Sequence, residues 1–225
     1  MLTSGNSRSS PATDLRKRPA QDRSRLTVEA ILEAGAQLLA ARGYSATTTN
    51  HVAERAGVSI GSLYQYFPNK DALVVALAEQ HLDQVEEALR AACARWRAAG
   101  PAPATWAAEF VQTLVDANDT ELHRVLYDCA PPLPRVRDRV DAVAGGLVDE
   151  TAHHLRRWQA PGRDDETRMR ARVIVVAAIS TVHELIVRLP VDSPDRNEAH
   201  RQLRDLVTRF LPAAVDPAPR PDERA

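Results

Sequence analysis

Residues 48–70 of this chain read TTNHVAERAGVSIGSLYQYFPNK, and this stretch decides the fold of the N-terminal part. Two short segments with helical apolar spacing flank the turn Gly57-Val58-Ser59. Glycine tolerates the left-handed backbone that ends a helix, and serine is a favoured residue at a helix N-cap. The pattern therefore predicts a short helix, a tight turn and a second short helix.

The ends of both helices can be predicted from individual residues. The first helix should begin after Thr48, whose hydroxyl group can accept a hydrogen bond from the first turn, and should end near Ala56. The second should begin after Ser59 and end near Phe67, because Pro68 follows. This spacing favours a helix-turn-helix, a motif whose second helix enters the major groove of DNA.

The second helix carries small polar groups and one amide on or near its outer face, a mixture that can reach base edges or phosphates. Hydroxyl and ammonium groups on or just after this helix can donate hydrogen bonds to phosphate oxygens. The outer-face residues are Ser59, Ile60, Ser62 and Gln65, and the phosphate donors are Tyr64, Tyr66 and Lys70.

A longer set of residues at fixed spacing links this stretch to a known family. The set consists of Gly43-Tyr44, Thr48, Val52-Ala53, Ala56-Gly57-Val58-Ser59, Gly61, Leu63-Tyr64, Phe67, Lys70 and Leu73. Through these residues the chain resembles the TetR family of bacterial transcriptional regulators over roughly residues 22–75.

The resemblance implies a DNA-binding regulator, expected here to be an effector-responsive repressor that binds a palindromic operator as a dimer. It also implies roles for individual residues, including the glycine that would allow the backbone to approach DNA closely. The residues implied to contact DNA are Thr48, Thr49, Tyr64, Tyr66 and Lys70 at phosphates and Ser59, Ile60, Gly61, Ser62 and Gln65 in the groove.

The charge of the chain is unevenly distributed. The whole chain of 225 residues has a formal net charge of −1. Residues 1–70 contain nine Lys or Arg and five Asp or Glu, a net charge of +4, which leaves −5 for the remainder. A basic N-terminal part suggests an anionic partner for that part alone.

The composition is that of an ordinary folded protein, with 44% hydrophobic and 26% charged residues. Cys93 and Cys129 lie in helical patterns without disulfide or metal spacing, so buried thiols are expected. The N-terminus lacks the apolar segment of a secretory signal, and the apolar run Val173–Val182 is too short to span a bilayer. We therefore expect a cytoplasmic protein without a membrane partner.

Helical periodicity recurs along the rest of the chain, and no segment has sustained strand-like alternation, so the predicted fold class is all-α. The expected architecture is a small three-helix head followed by a larger helical body. Helices are predicted at about 22–42, 70–96, 104–117, 119–129, 135–158, 165–189 and 195–211, besides the two short ones. The predicted domains are a disordered basic tail (1–20), a DNA-binding domain (21–68), an effector-binding and dimerisation domain (69–211) and a disordered Pro-rich tail (212–225).

The helices near 165–189 and 195–211 are predicted to form a homodimer interface. Ala177, Ala178 and Ser180 permit close approach of two helices. The predicted apolar area of this interface comes from Val173, Ile174, Val176, Ile179, Leu185, Leu203, Leu206 and Phe210. The alternative is that these helices belong only to the core of a monomer.

A pocket for a small-molecule effector is expected among the body helices. Because aromatic residues at helical spacing usually serve packing, only part of the candidate set is expected to line it. The candidates are Trp106, Phe110, Leu114, His123, Leu126, Tyr127, His154, Trp158, Ile179 and His183.

Two patterns suggest other functions and are rejected. Residues 57–61, GVSIG, fit the nucleophile elbow of α/β-hydrolases, but that elbow needs a preceding strand. His153 and His154 are adjacent, so on a helix they point about 100° apart and cannot share a metal ion as i, i+4 pairs do. We expect no enzyme, metal or cofactor. A helical nucleic-acid-binding or interaction module without small-molecule control remains the alternative.

Overall fold

The computed structural model describes residues 12–129, 134–159 and 164–212, and the secondary structure in these ranges is entirely helical. The all-α prediction is therefore confirmed. The helices are α1 (Ala12–Ala46), α2 (Thr49–Arg55), α3 (Ile60–Tyr66), α4 (Lys70–Ala99), α5 (Pro103–Asn118), α6 (Glu121–Cys129), α7 (Pro134–Trp158), α8 (Asp164–Arg188) and α9 (Pro194–Phe210).

Helix α1 begins earlier than the sequence analysis predicted, at Ala12 rather than near Asp22. The segment between them contains Leu, Arg, Lys, Ala and Gln, all strong helix formers, and their helix propensity outweighs the break that Pro19 favours. The helix is interrupted at Gly43, which has φ +72°, so the predicted stop is present within α1. Residues 1–11 and 213–225, which include most of both predicted tails, lie outside the described residues.

The chain divides into two compact units, Met1–Val74 and Val75–Ala225. In the first unit α1 packs against α2, and α2 packs against α3. Gly35 of α1 permits close packing because an added Cβ would lie 3.0 Å from the side chain of Leu73. The largest fully buried side chains of this unit are Ile31, Leu39, Leu63 and Leu73.

Helices α2 and α3 each begin with the capping group that the sequence predicts. The Thr48 hydroxyl accepts a hydrogen bond from the His51 backbone N–H at 3.2 Å. The Ser59 hydroxyl accepts one from the Ser62 backbone N–H at 3.0 Å. Gly57 has φ +68°, in the left-handed region that side chains disfavour. Local chemistry alone therefore explains where α2 begins and ends and where α3 begins.

Replacing Gly57 with alanine should lower the free energy of unfolding by about 1–2 kcal/mol, since a Cβ disfavours the left-handed conformation. No atom lies within 4 Å of the added Cβ, so the cost arises from the backbone and not from a clash. Chemical denaturation would measure it. Gly61→Ala is the matched control, because Gly61 lies inside α3 at helical φ; an equal loss there would contradict this explanation.

In the second unit α8 is central and packs against α5, α6, α7 and α9. Aliphatic and aromatic side chains from α4, α5, α7, α8 and α9 form one continuous core. Cys93 is half-buried near this core, and burial, assisted by the Glu150 carboxylate, raises the pKa of its thiol to about 11. The side chain of Cys129 lies outside the described residues. None of the helices in the described ranges is long and apolar enough to cross a bilayer.

Candidate nucleic-acid interface and ligand cavity

The N-terminal end of α3 is exposed and rigidly capped. Ser59, Ile60, Gly61 and Gln65 are exposed, whereas Leu63 is completely buried and anchors the opposite face. The hydroxyl groups of Ser59 and of the half-buried Ser62 lie 2.8 Å apart. Ser59 thus follows helix α2 and caps helix α3, which differs from the strand-to-helix turn of a hydrolase elbow.

One hydrogen bond joins the surfaces of α2 and α3. The Thr49 and Tyr64 hydroxyl oxygens lie 3.1 Å apart, and 49% of Tyr64 is exposed. Both residues were predicted to contact phosphate, and the structure brings their hydroxyl groups together beside the exposed Thr48. This bond uses the proton of one hydroxyl group, so the other hydroxyl group keeps a proton that can be turned towards another partner.

Tyr66 and Lys70 already have partners inside the first unit. The Tyr66 hydroxyl oxygen lies 3.0 Å from that of Ser24 in α1. The Lys70 ammonium donates to the Tyr44 backbone carbonyl at 2.7 Å and lies 3.8 Å from the centre of the Tyr44 ring. The Tyr44 hydroxyl donates to the Asp71 carboxylate, and this bond raises the pKa of the phenol. Both residues can therefore fix the start of α4 and the end of α3 as well as offer donors.

A cavity of about 170 Å³ lies within the second unit, lined mostly by aliphatic groups from α4 to α8. The structure brings six of the ten candidate residues to its wall. They are Leu114, His123, Leu126, Tyr127, Ile179 and His183.

The other four candidates lie in a packed aromatic cluster that does not line this cavity. Trp106 stacks on Phe110 at 4.7 Å between ring centres and contacts Trp158 at 5.7 Å and His154 at 5.8 Å. Leu114 is eight residues beyond Trp106, about 12 Å along α5, and only that end of the helix borders the cavity. These four residues are core, as the packing alternative allowed.

Several wall residues were not among the candidates. α7 contributes Val136, Val140, Val143 and Leu147, whose spacing marks one apolar helix face but gives no sign of a cavity. His81 of α4 was also missed, although a histidine on an otherwise apolar face was a usable signal.

Three histidines converge at one end of the cavity. His81 Nε2 and His123 Nδ1 are 3.0 Å apart, and the His183 ring lies 4.9 Å from the His123 ring and 4.7 Å from the Tyr127 ring. Burial lowers the pKa of all three imidazoles. For His123, burial is the largest cause and repulsion from His183 and His81 adds to it, so the pKa falls to about 3. The cluster is therefore uncharged at neutral pH.

Metal binding is not supported by this cluster, since among the described residues no group of three His, Cys, Asp or Glu side chains is placed to hold an ion.

Comparison with known proteins identifies both units. Residues 31–77 match the model for bacterial regulatory proteins of the tetR family, and residues 102–211 match the tetracyclin repressor-like C-terminal domain. The chain is 49% identical over 57 residues to the HTH-type transcriptional regulator YvkB of Bacillus subtilis, covering 25% of this chain and 30% of YvkB. It is 30% identical over 139 residues to the HTH-type transcriptional repressor Rv3405c of Mycobacterium tuberculosis, covering 59% and 66%. The chain thus spans less than two thirds of either relative.

Solved structures share the fold over most of the chain. A tetR-family regulatory protein from Rhodococcus RHA1 matches with a TM-score of 0.61 and 17% identity, covering 84% of this chain and 98% of that one. The fatty acid degradation regulator FadR from Bacillus halodurans matches with a TM-score of 0.59 and 16% identity, covering 81% and 94%. Since the two family models together span most of both units and agree with the helix-turn-helix geometry, this chain belongs to the TetR family of bacterial transcriptional regulators.

Proposed function

We propose that the protein is an effector-responsive repressor that binds a palindromic DNA operator as a homodimer in the bacterial cytoplasm. The observation that carries the proposal is the exposed N-terminal end of α3, which is capped by Ser59 and anchored by the buried Leu63. DNA binding is assigned to residues 21–68, and effector binding and dimerisation to residues 69–211. The relatives KstR and Rv3405c are named as repressors, and FasR is named as an activator. The proposal of a repressor follows the first two of these relatives.

Within the DNA-binding face we assign positioning and reading to different residues. Thr48, Thr49, Tyr64, Tyr66 and Lys70 would contact phosphates, and the linked Thr49 and Tyr64 hydroxyl groups support this grouping. The groove would be read by Ser59, Ile60, Gly61, Ser62 and Gln65. Only Gln65 carries an amide that can bond an adenine edge in two places, whereas Ile60 offers apolar contact such as a thymine methyl group.

Lys70→Gln should weaken binding to every duplex and reduce the slope of log K against log salt concentration by about one. Gln65→Ala should instead reduce the discrimination between the preferred site and a site with one altered base pair. At one position, the difference in binding free energy between the two sites should change by about 1–3 kcal/mol. Fluorescence anisotropy over a salt series would measure both. Arg90→Gln, on the exposed part of α4, is the charge-matched control.

Equal effects of the Lys70 and Gln65 substitutions on all sequences would contradict the division. Because Lys70 also bonds the Tyr44 carbonyl, thermal unfolding of Lys70→Gln must be compared with the native protein before its binding is interpreted.

The dimer is assigned to the outer faces of α8 and α9. Val173, Val176, Ala177 and Ser180 occupy one exposed or half-exposed stripe of α8 at i, i+3, i+4 and i+7 spacing. Leu206 and Phe210, one turn apart on α9, are exposed large apolar side chains. By contrast, Ala178, Ile174, Leu185 and Leu203 from the predicted interface set are buried in the core of the unit.

Val176→Glu should shift the protein towards monomer, because an unpaired carboxylate would be desolvated in the interface. Analytical ultracentrifugation over a concentration series would measure the change. Val191→Glu is the matched control, since Val191 is equally exposed (54% against 53%) but lies in the turn after α8. Identical sedimentation of native protein and both variants would contradict the assignment.

The cavity is assigned to the effector. Effector binding would favour a dimer whose two α3 helices no longer fit successive major grooves, a shift between pre-existing states. A coupling free energy of about 1–3 kcal/mol would weaken operator binding roughly 5- to 150-fold.

A further inference from the structure

A groove of about 460 Å³ lies beside the cavity, between α4 and α7. The side chains of Leu89, Val143 and Leu147 line both the groove and the cavity. These three residues, called the partition below, form a single aliphatic layer between the two spaces. Aliphatic side chains have no hydrogen bonds to break and change rotamer even inside packed cores, so such a layer can open briefly.

Two sets of ion pairs join α4 and α7 on either side of the partition. Arg139 of α7 donates to the Asp83 carboxylate of α4 at 2.8 Å and also to Glu86. Farther along both helices, the Arg97 Nε atom donates to both carboxylate oxygens of Glu150 at 2.9 Å. Glu150 lies about 16 Å beyond Arg139 along α7. The two helices are therefore braced at both ends of the groove, and the side chains between the braces can move while the helices stay in place.

Gly146 of α7 keeps the groove open. It is exposed and lines the groove, and an added Cβ would meet no atom within 4 Å. Glycine inside a helix costs about 1 kcal/mol relative to alanine, and close packing within the described part of the chain does not require it here. The missing side chain leaves the partition open to approach from the groove.

The histidine end of the cavity is the other place where a wall residue reaches the surface. Tyr127 lines the cavity and is 46% exposed. Its ring lies 4.7 Å from the His183 ring and is stacked on the His123 ring at 6.2 Å. Aromatic pairs contribute about 0.5–1.5 kcal/mol beyond the area they bury, so moving Tyr127 breaks contacts that the partition does not have. The groove is the easier route.

We propose that the groove between α4 and α7 is the entrance of the cavity and that the partition is its gate. The side chains of Leu89, Val143 and Leu147 turn aside to admit an apolar molecule and close behind it. The route applies to any apolar molecule that the cavity holds, and its link to regulation rests on the effector role proposed above. A volume of about 170 Å³ is close to the roughly 150 Å³ of an engineered apolar cavity that holds benzene, so a single-ring probe is of suitable size.

An obstruction in the entrance should change rates and not affinity. It raises the barrier to entry and the barrier to exit by the same amount, so the association and dissociation rate constants fall together and their ratio, the Kd, is kept. A general loss of structure in the cavity would instead weaken binding. The two rate constants and the Kd therefore distinguish an entrance from a binding wall.

The test is fluorine exchange NMR of the full chain with 4-fluorotoluene, which yields the dissociation rate constant and, by titration, the Kd. Gly146→Phe should obstruct the groove and slow both association and dissociation about tenfold, with little change in Kd. Gly145→Phe is the matched control. Gly145 lies in the same helix and an added Cβ there also meets no atom within 4 Å, but the residue lines neither the groove nor the cavity. Its substitution should leave both rate constants unchanged.

Each other outcome overturns the proposal. Unchanged exchange in Gly146→Phe, equal slowing in Gly145→Phe, or a change in Kd without a change in the association rate would exclude the groove as the entrance. Faster exchange in Tyr127→Ala beside unchanged exchange in Gly146→Phe would place the entrance at the histidine end. No saturable binding of 4-fluorotoluene by the native protein would show that the cavity does not admit a single ring.

Failure of the effector role is separable, because exchange is measured without DNA. Gated exchange of a probe that leaves DNA affinity unaltered would contradict the effector role for that probe while the entrance stands.

Discussion

Replacing Trp106 with alanine is expected to lower the free energy of unfolding by about 3–5 kcal/mol, the usual cost of removing a large aromatic side chain from a core. Trp106 is fully buried and contacts the rings of Trp96, Phe110, His154 and Trp158. Helices α4, α5 and α7 therefore all lose contacts at once. Urea denaturation followed by circular dichroism would measure the loss.

Trp106→Phe is the informative control. The indole N–H of Trp106 is buried without a partner among the described residues, so phenylalanine removes an unsatisfied donor while it keeps a ring. We expect the phenylalanine variant to recover most of the stability. Equal losses for the two variants would mean that the ring contacts do not stabilise the second unit.

Acidification should destabilise the protein between about pH 6.5 and pH 3. The pKa of His123 is about 3 in the folded protein and about 6.5 when unfolded, so the unfolded chain binds more protons in this range and stability falls as pH falls. By pH 5, protonation of His123 in the unfolded chain should lower the free energy of unfolding by about 2 kcal/mol. The lowered pKa values of His81 and His183 act in the same direction. Among the charged neighbours of His123, Arg124 lowers its pKa more than Asp119 raises it.

Thermal unfolding at pH 7.5 and pH 5 would measure this dependence in native protein, His123→Phe and His153→Gln. The His123 variant should lose part of the pH dependence, whereas the exposed His153 variant should keep the part that His123 contributes. The same pH dependence in all three proteins would show that His123 is not held neutral by burial.

The helix-turn-helix could be predicted because local chemistry determines it. Caps at Thr48 and Ser59 and the left-handed Gly57 act within a few residues of one another, and the structure has each where the sequence predicts it. The bonds of Tyr66 to Ser24 and of Lys70 to Tyr44 could not be predicted, since they join residues far apart in sequence.

The cavity wall was predictable only in part for a related reason. Periodicity tells which face of a helix is apolar but not which part of that face meets a neighbour and which part meets a gap. Trp106 and Leu114 share a face of α5, yet only Leu114 borders the cavity. His81 completes the histidine cluster from a different helix, so its pairing with His123 could be found only when α4 and α6 were placed together.

Hydroxyl-radical footprinting on the DNA upstream of the protein's own coding sequence tests the central claim most directly. A dimer that presents two α3 helices predicts two protected segments on one face of the duplex, with centres about 34 Å apart. Gln65→Ala should shift or weaken both segments together. Uniform protection that is independent of sequence, or one isolated segment, would contradict the account of a dimeric operator-binding regulator.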